Sequence, residues 1–470
     1  MPKSAFVVTS RIVTGTVGIA VAAVTIAAAA LLPLPSIQFT PTALDVVPEP
    51  APKQLVCPGS MLTLGDSGGQ NASTAMPFGE VETSTVATDG TLSRESLATG
   101  GPGAPSIVTA PAATGSSVAG AQYESIVTNP DYFGLAIAPC ARPSGDTWLV
   151  GGSTAVGRTT LINLMNPGDV DVTVDLALYS ESGQVDAPGL AGIIVPTKGQ
   201  RVLSLAGFAP GKQSLAVHVT SQGGGVSAVL QQSIIRGIEP SGLEIISPAA
   251  APSTTAVIPG VHVVDSEAVE ERLGEEGFDD LIPALRVLVP GGAPAQATVR
   301  IIPVTAEAAG ASFDLTLEPG LVADLPVEGL VDGTYAVIIE ATEPVLAGMR
   351  VSTVAPAKQG TVKAGATDVA WFVASAALSD AVYAAIPPLP SMLHLTNPTL
   401  ALITVGIDGE SVLIGPGAGV SLPVSGGRAL ELSGAKGLHA SLSATEAGRI
   451  ATFPLSAAAG AEPPVTVVAG

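Results

Sequence analysis

Val170, Val172, Val174, Leu176 and Leu178 alternate with Asp171, Thr173, Asp175, Ala177 and Tyr179. A period of two puts one set on each face of a strand, one face buried and one wet. Leu164, Met165, Asn166 and Pro167 precede it, and Asn-Pro is a turn signal. Apolar stretches at 193–195, 202–205, 215–219 and 226–230 follow, parted by Pro196, Gly199 and the glycines at 223–225. The order returns twice. The second copy runs through Val289-Pro290, then Ala297, Val299 and Ile301, then 313–317, Pro319-Gly320, 322–325, 335–339 and 345–351. The third runs through Asn397-Pro398, then Ile403, Val405 and Ile407, then 412–414, Pro416-Gly417, 420–422, 430–432 and 438–442. Short strands at regular spacing with turns between them predict an all-β fold of tandem immunoglobulin-like β-sandwich repeats. The repeats are placed at 144–250, 251–360 and 361–470. Residues 57–143 are an irregular β region. Its Gly-, Ser-, Thr- and Ala-rich stretch at 83–122 reads either as a long loop or as strands with weak cores.

A different pattern opens the chain. Residues 12–34 form an apolar run about long enough to span a bilayer as a transmembrane helix. Lys3 and Arg11 precede it, Asp45 and Glu49 follow it, and the next basic residue is Lys53. That asymmetry places the tail 1–11 in the cytoplasm and the bulk of the chain outside, as a single-pass cell-membrane protein. A cleaved signal peptide is the alternative, with a small-residue site in the alanines at 27–30. Pro35, Pro41, Pro48, Pro50 and Pro52 make 35–56 an extended stalk.

Composition narrows the chemistry. Aromatic residues are 3% and charged residues 13% of the chain, so cores must be built from Val, Leu, Ile and Ala. The net charge is −21, and no Lys/Arg cluster offers a surface to a polyanion, which excludes nucleic acid. Cys57 and Cys140 are the only two cysteines, and an even pair in an exported chain reads as a disulfide. Closing a loop of that size contributes roughly 4–5 kcal/mol in the chain-entropy model. No CxxC or His-pair spacing points to a metal, and no cofactor motif is present.

Trp148 and Trp371 follow Asp146 and Asp368 in similar strings and read as openings of the first and third repeats. Each is a candidate core plug or a platform for stacking a sugar. Residues 266–277 read as a short acidic helix with Ser266 as N-cap, either a solvated insertion or a weak calcium or basic-partner site. Gly65, Asp66, Ser67, Gly68 and Gly69 match a trypsin-like nucleophile string, but no His precedes Ser67, so the string reads as a turn. The run from Gly152 to Thr159 is one residue from a phosphate-binding loop. Arg158 stands where Lys is required and no helix follows, so it reads as a hairpin loop and no nucleotide is expected. His218 and His439 fall on outward faces by alternation. Asp146, Asp368 and Glu340 show no pairing in sequence.

The apolar N-terminal run, Val56-Cys57-Pro58-Gly59, Cys140, the Asp146 to Gly152 string and the Gly157 to Pro167 run together carry a likeness. The chain resembles a domain-of-unknown-function family of actinobacterial membrane-anchored secreted proteins. The resemblance implies a cell-envelope location and no activity. The leading expectation is a non-enzymatic, membrane-anchored extracytoplasmic scaffold or binding protein, with an envelope protein or wall polymer as partner. The alternatives are a glycan-binding module array supporting envelope polysaccharide assembly, and a hydrolase with an unrecognised site.

Overall fold

The computed structural model describes residues 52–65, 74–97, 101–112, 116–305, 307 and 310–456, the strands β1 (Ala43–Val46) and β34 (Val465–Val468), and Val17, Ala20 and Val21. The expected transmembrane helix at 12–34 lies outside the described residues except for those last three, which are helical. Ser67 lies outside them too. No helix among the described residues is long and apolar enough to cross a membrane. The chain divides into two compact units. In the smaller one, β1 pairs antiparallel with β34, from Ala43 opposite Val468 to Val46 opposite Val465. The larger, 50–461, is nearly all β.

The strands of the larger unit fall into four successive groups. The first has β2 (Lys53–Cys57), β3 (Leu62–Leu64), β4 (Ala75–Pro77), β5 (Val81–Ala87), β6 (Ser93–Ser96), β7 (Ser106–Ala110), β8 (Val118–Ile126) and β9 (Gly134–Pro139). The second has β10 (Asp146–Val150), β11 (Arg158–Asn166), β12 (Val172–Ser180), β13 (Gly183–Val185), β14 (Ile193–Val195), β15 (Gly199–Ser204), β16 (Leu215–Gln222), β17 (Ser227–Arg236) and β18 (Glu239–Ile246). The third has β19 (Ser253–Val263), β20 (Ala284–Leu288), β21 (Ala295–Pro303), β22 (Ala311–Leu317), β23 (Val322–Pro326), β24 (Gly333–Val354) and β25 (Thr367–Val373). The fourth has β26 (Ala381–Ala385), β27 (Ser391–Thr396), β28 (Ile403–Ile407), β29 (Glu410–Ile414), β30 (Gly419–Val424), β31 (Ala429–Ser433), β32 (His439–Thr445) and β33 (Ile450–Pro454).

Each group makes two main sheets in a common strand order; the first group has three strands in each where the others have four, and adds a separate β3-β4 pair. One sheet reads β2-β7-β6, then β10-β16-β12-β13, β19-β24-β21-β22 and β26-β31-β28-β29. The other reads β5-β8-β9, then β15-β11-β17-β18, β23-β20-β24-β25 and β30-β27-β32-β33. In the third group β24 serves both sheets. Its first half pairs with β19 and β21, its second with β20 and β25, across an exposed stretch near Thr342 and Pro344. An immunoglobulin domain joins its first strand to its second and its last to its sixth. Here the first strand β10 lies beside β16, and β17 lies beside β11. The two ends have exchanged sheets.

Alternation builds the cores as the sequence predicts. Val172, Val174, Leu176 and Leu178 of β12 are buried with Ile162, Leu164, Leu215 and Val217 in one cluster shared by both sheets of the second group. Two buried asparagines staple equivalent turns. Asn166 Nδ2 donates to the carbonyls of Val170, Val195 and Pro196, and its Oδ1 accepts from Gly168 N. Asn397 Nδ2 donates to Ala401, Ile414 and Gly415, and its Oδ1 accepts from Thr399 N. Each satisfies carbonyls that the end of a strand would otherwise leave buried and unpaired.

Several expectations change here. Residues 57–140 hold strands in the common order, tied by a disulfide between Cys57 and Cys140 across a separation of 83. The sulfur of Cys140 leaves no room for a side chain at Gly120. The Asp368 to Val373 string does not open the last group. Its strand β25 hydrogen-bonds to β24 and closes the third. The loop between β10 and β11 does not close a hairpin, because those strands belong to different sheets.

Candidate functional site

The last strands of the four groups pack on one another in a closed circuit, β9 on β18, β18 on β25, β25 on β33 and β33 on β9. At their meeting point stands one carboxylate, Asp368, 1% exposed. It accepts hydrogen bonds from the backbone N–H of Leu135 (2.9 Å) in β9, Leu243 (3.1 Å) in β18 and Ile450 (3.1 Å) in β33. One side chain thus ties all four groups. Burial pushes its carboxyl up to about 8, against the pull of those N–H groups. Glu244 lies beside it, wholly buried, with the backbone N–H groups of Thr452, Trp371 and Ile245 around its carboxyl. Burial and then the nearness of Asp368 raise its carboxyl well above the ordinary range. Glu124, buried and accepting from Met61 N at 2.7 Å, is raised to about 7 by burial.

The histidines are placed differently from the sequence reading. His439 is buried, its Nδ1 2.8 Å from the Ser375 carbonyl oxygen. Alternation alone sends it outward, but the third group covers that face. His394 is buried between Ser421 Oγ and Ser443 Oγ, at 2.8 Å each, and burial lowers it to about 3. His262 and His439 are also lowered by burial. His218, like His262 only partly buried, lies 3.0 Å from Asp146 and stacks on Trp148 at 3.9 Å.

These groups fix the sign of a pH dependence. Below the ordinary histidine pKa the unfolded chain takes up protons on His262, His394 and His439 that the fold refuses. Between that range and acid pH, the folded state holds protons on Asp368, Glu244 and Glu124 that the unfolded chain has lost. The two sets oppose each other at mildly acid pH. From about pH 6.5 to pH 8 the unfolded histidines shed their remaining protons, the raised carboxyls dominate, and the fold is the state holding more protons. Stability is therefore expected to fall as pH rises through that window, by about 1.4 kcal/mol per pH unit for each proton held. Urea midpoints at pH 6.5, 7.2 and 8 measure it. A midpoint that rises with pH would contradict it.

Besides the β3-β4 pair, a helical segment departs from the fourfold plan. Between β19 and β20, residues 264–283 form an insertion with helix α1 (Ser266–Arg272) and a 3-10 turn at Asp279–Leu281. Among the described residues no such helix stands between the first two strands of the other groups. Ser266 is the first helical residue and not the cap. The residue before it, Asp265, is left-handed at φ 56° and makes no capping bond, and Ser266 N donates to Asp332 Oδ1 instead at 2.8 Å. The acidic residues do not gather. Glu267 and Glu270 are exposed, and among the described residues no group of three or more His, Cys, Asp or Glu is placed to hold a metal.

The outer side of the insertion forms a cleft of about 350 Å³ with the 327–331 loop. Val263, Val269, Leu273, Ile282, Val327 and Leu330 line it, and the exposed Glu270 and Glu328 stand at its rim. A cleft of this size, apolar within and charged at the edge, is the form of a ligand or side-chain pocket.

The inner side faces an arginine cluster. Asp280 of the insertion binds Arg158 and Arg236. Burial opposes its ionisation, but Arg236 and Arg158 outweigh that and hold its carboxyl below the usual range. Arg350 donates to the carbonyls of Asp280 (2.6 Å) and Ile282 (3.3 Å). Arg286 is fully buried. Its fork binds both oxygens of Asp324 at 2.7 Å, and it also donates to the carbonyls of Gly152, Leu215 and Gln213. Its guanidinium lies 4.4 Å over the Trp371 ring. Arg272 binds Glu239 and lies over Phe278, which pins the insertion to the second group.

The two tryptophans end in unlike places. Trp371 is 3% exposed, between Arg286 and Gln232, whose Oε1 accepts from its Nε1 at 2.8 Å. Trp148 is 9% exposed under His218. Neither offers an open indole face. Sequence reasoning missed Arg286, Asp324 and Glu244, and took Asp280 only as one of the acids around the 266–277 helix. The signal was a single charge inside an otherwise apolar strand, as in Ala284–Leu288.

No curated protein matches the chain. The solved structure titled "Crystal Structure of Thermotoga maritima 1070" is similar over 27% of this chain and 93% of its own, at 12% identity and a TM-score of 0.20. Residues 96–409 match the family described as "Family of unknown function (DUF5719)". That span takes in the second and third groups whole, with the insertion, the arginine cluster and Asp368, and the chain belongs to this family.

Proposed function

We propose that this chain is a non-enzymatic binding protein or scaffold of the cell envelope. Residues 12–34 hold it in the membrane, and the strand-built body stands outside. The observation that carries the binding role is the cleft beside α1, built by the helical element that departs from the repeated plan. Four groups tied through Asp368 favour a body that presents such a cleft in a fixed geometry. An apolar floor with Glu270 and Glu328 at its rim suits an envelope protein segment that carries an apolar side chain next to Lys or Arg. The glycan-array reading needs Trp148 and Trp371 as platforms, and their burial takes that support away.

Fractionation and protease treatment of intact cells test the tether. The full chain is expected in the membrane fraction and open to protease from outside. A chain with 12–34 replaced by a cleavable export signal should be released. Protection of the body from external protease would overturn this placement.

A further inference from the structure

The arginine cluster carries more positive charge than its carboxylates offset. Arg158, Arg236, Arg286 and Arg350 stand around Asp280 and Asp324, four guanidiniums to two carboxylates. Counting the adjoining Arg272 with the acids it engages, Glu239 and Glu275, five guanidiniums face four carboxylates, and one positive charge remains in excess. Arg286 is fully buried and Arg158, Arg236 and Arg350 are half-buried, in a chain of net charge −21 whose surface has acid to spare. Uncompensated charge in a protein interior is costly unless something pairs with it.

There is a space for a partner. Arg158, Arg286, Arg350, Asp280, Gln232 and Trp371 line a small cavity of about 20 Å³. One water-sized body fits there. A tetrahedral oxyanion does not. Arg350 Nε, a lining residue's N–H, is buried and donates to nothing. Gln232 spends its oxygen on Trp371 Nε1 and keeps two amide N–H donors. Arg286 is saturated by Asp324 and three carbonyls, so it contributes charge and not a free donor.

We infer that this cavity is a binding site for a single halide ion, chloride under ordinary conditions, held between Arg350, Arg158 and Gln232. Excess positive charge distinguishes a halide from a water, and size distinguishes it from phosphate or sulfate. The bound ion joins the second and third groups at the point where the insertion docks, so it acts as a structural ligand. This inference stands apart from the proposed tether and partner.

Crystals of the full chain, with its disulfide intact, soaked in sodium bromide would show it. An anomalous bromide peak is expected within contact distance of Arg350 Nε. Melting in sodium chloride against sodium gluconate at equal ionic strength gives the solution readout. The wild-type chain is expected to melt several degrees higher in chloride, and the Arg350→Gln chain to lose that difference. Arg350→Lys, which keeps the charge but not the Nε donor, serves if Arg350→Gln does not fold, and should show a reduced chloride response. No bromide peak at the cavity, or an equal chloride response in wild type and folded variant, overturns the site.

Discussion

Arg286→Met is expected to destabilise the folded chain by about 5 kcal/mol or more. Methionine fills much of the space but restores none of the polar contacts. Breaking a buried ion pair by removing one partner costs about 3–5 kcal/mol, because the other charge is left stranded. Asp324 is that partner. Burial alone would raise its carboxyl, and Arg286 beside it outweighs burial and holds it below the usual range. Ser214 Oγ, which donates to Asp324 at 2.7 Å, cannot replace a charge. The carbonyls of Gly152, Leu215 and Gln213 also lose their donor, at about 1–3 kcal/mol for each one left dry. Arg286→Lys should recover only part of the loss, since an ammonium cannot make the two-pronged contact and reach three carbonyls besides. Equilibrium unfolding in urea measures both variants, and a loss under about 2 kcal/mol for Arg286→Met would contradict the assignment.

Asp368→Ala is expected to cost a similar amount, about 5 kcal/mol, for a different reason. Three peptide N–H groups from β9, β18 and β33 lose their acceptor together. Each stranded donor costs about 1–3 kcal/mol. Asp368→Asn should recover only part of the loss, because its amide keeps one acceptor oxygen where the carboxyl offers two. The loss should also be spread over the fold. In native-state hydrogen exchange the amides of Leu135, Leu243 and Ile450, which are 233, 125 and 82 residues from Asp368, should all lose protection in the variant. Loss confined to Ile450 would mean that the four groups do not share this tie.

The strands were legible because their signal is local. Val172 to Leu178 alternate strictly, and the structure buries one face and leaves the other half-open. The paired cysteines were legible for a similar reason, since nothing competes for either. The turn asparagines announced themselves as Asn-Pro, although their role as buried staples needs the carbonyls of 195–196 and 414–415, which only the fold brings near. The fourth copy of the plan escaped notice because β2 to β9 are separated by irregular Gly- and Ser-rich stretches that hide the order while keeping the pairing. Trp371 misled for another reason. Its string resembles the one around Trp148, yet β10 is a first strand and β25 a last one, and only hydrogen bonding tells them apart. The arginine cluster draws on positions 158, 236, 280, 286, 324 and 350, so no spacing in the sequence could assemble it. What could be read was each lone charge inside an apolar run, Arg286, Glu244 and Asp368, which marks a group that the fold must either pair or hold neutral.

A partner seated in the cleft beside α1 is the centre of the proposed function. Photo-crosslinking in the native cells tests it most directly, with a photoreactive residue at Val331, 43% exposed at the cleft, and a control at Ile194, 46% exposed and outside it. The expected result is a discrete adduct from Val331 that Ile194 does not give. Glu270→Lys with Glu328→Lys should abolish it, and the captured segment should carry Lys or Arg beside an apolar residue. The same adducts from both positions, or an adduct indifferent to reversal of the rim charges, would contradict the claim.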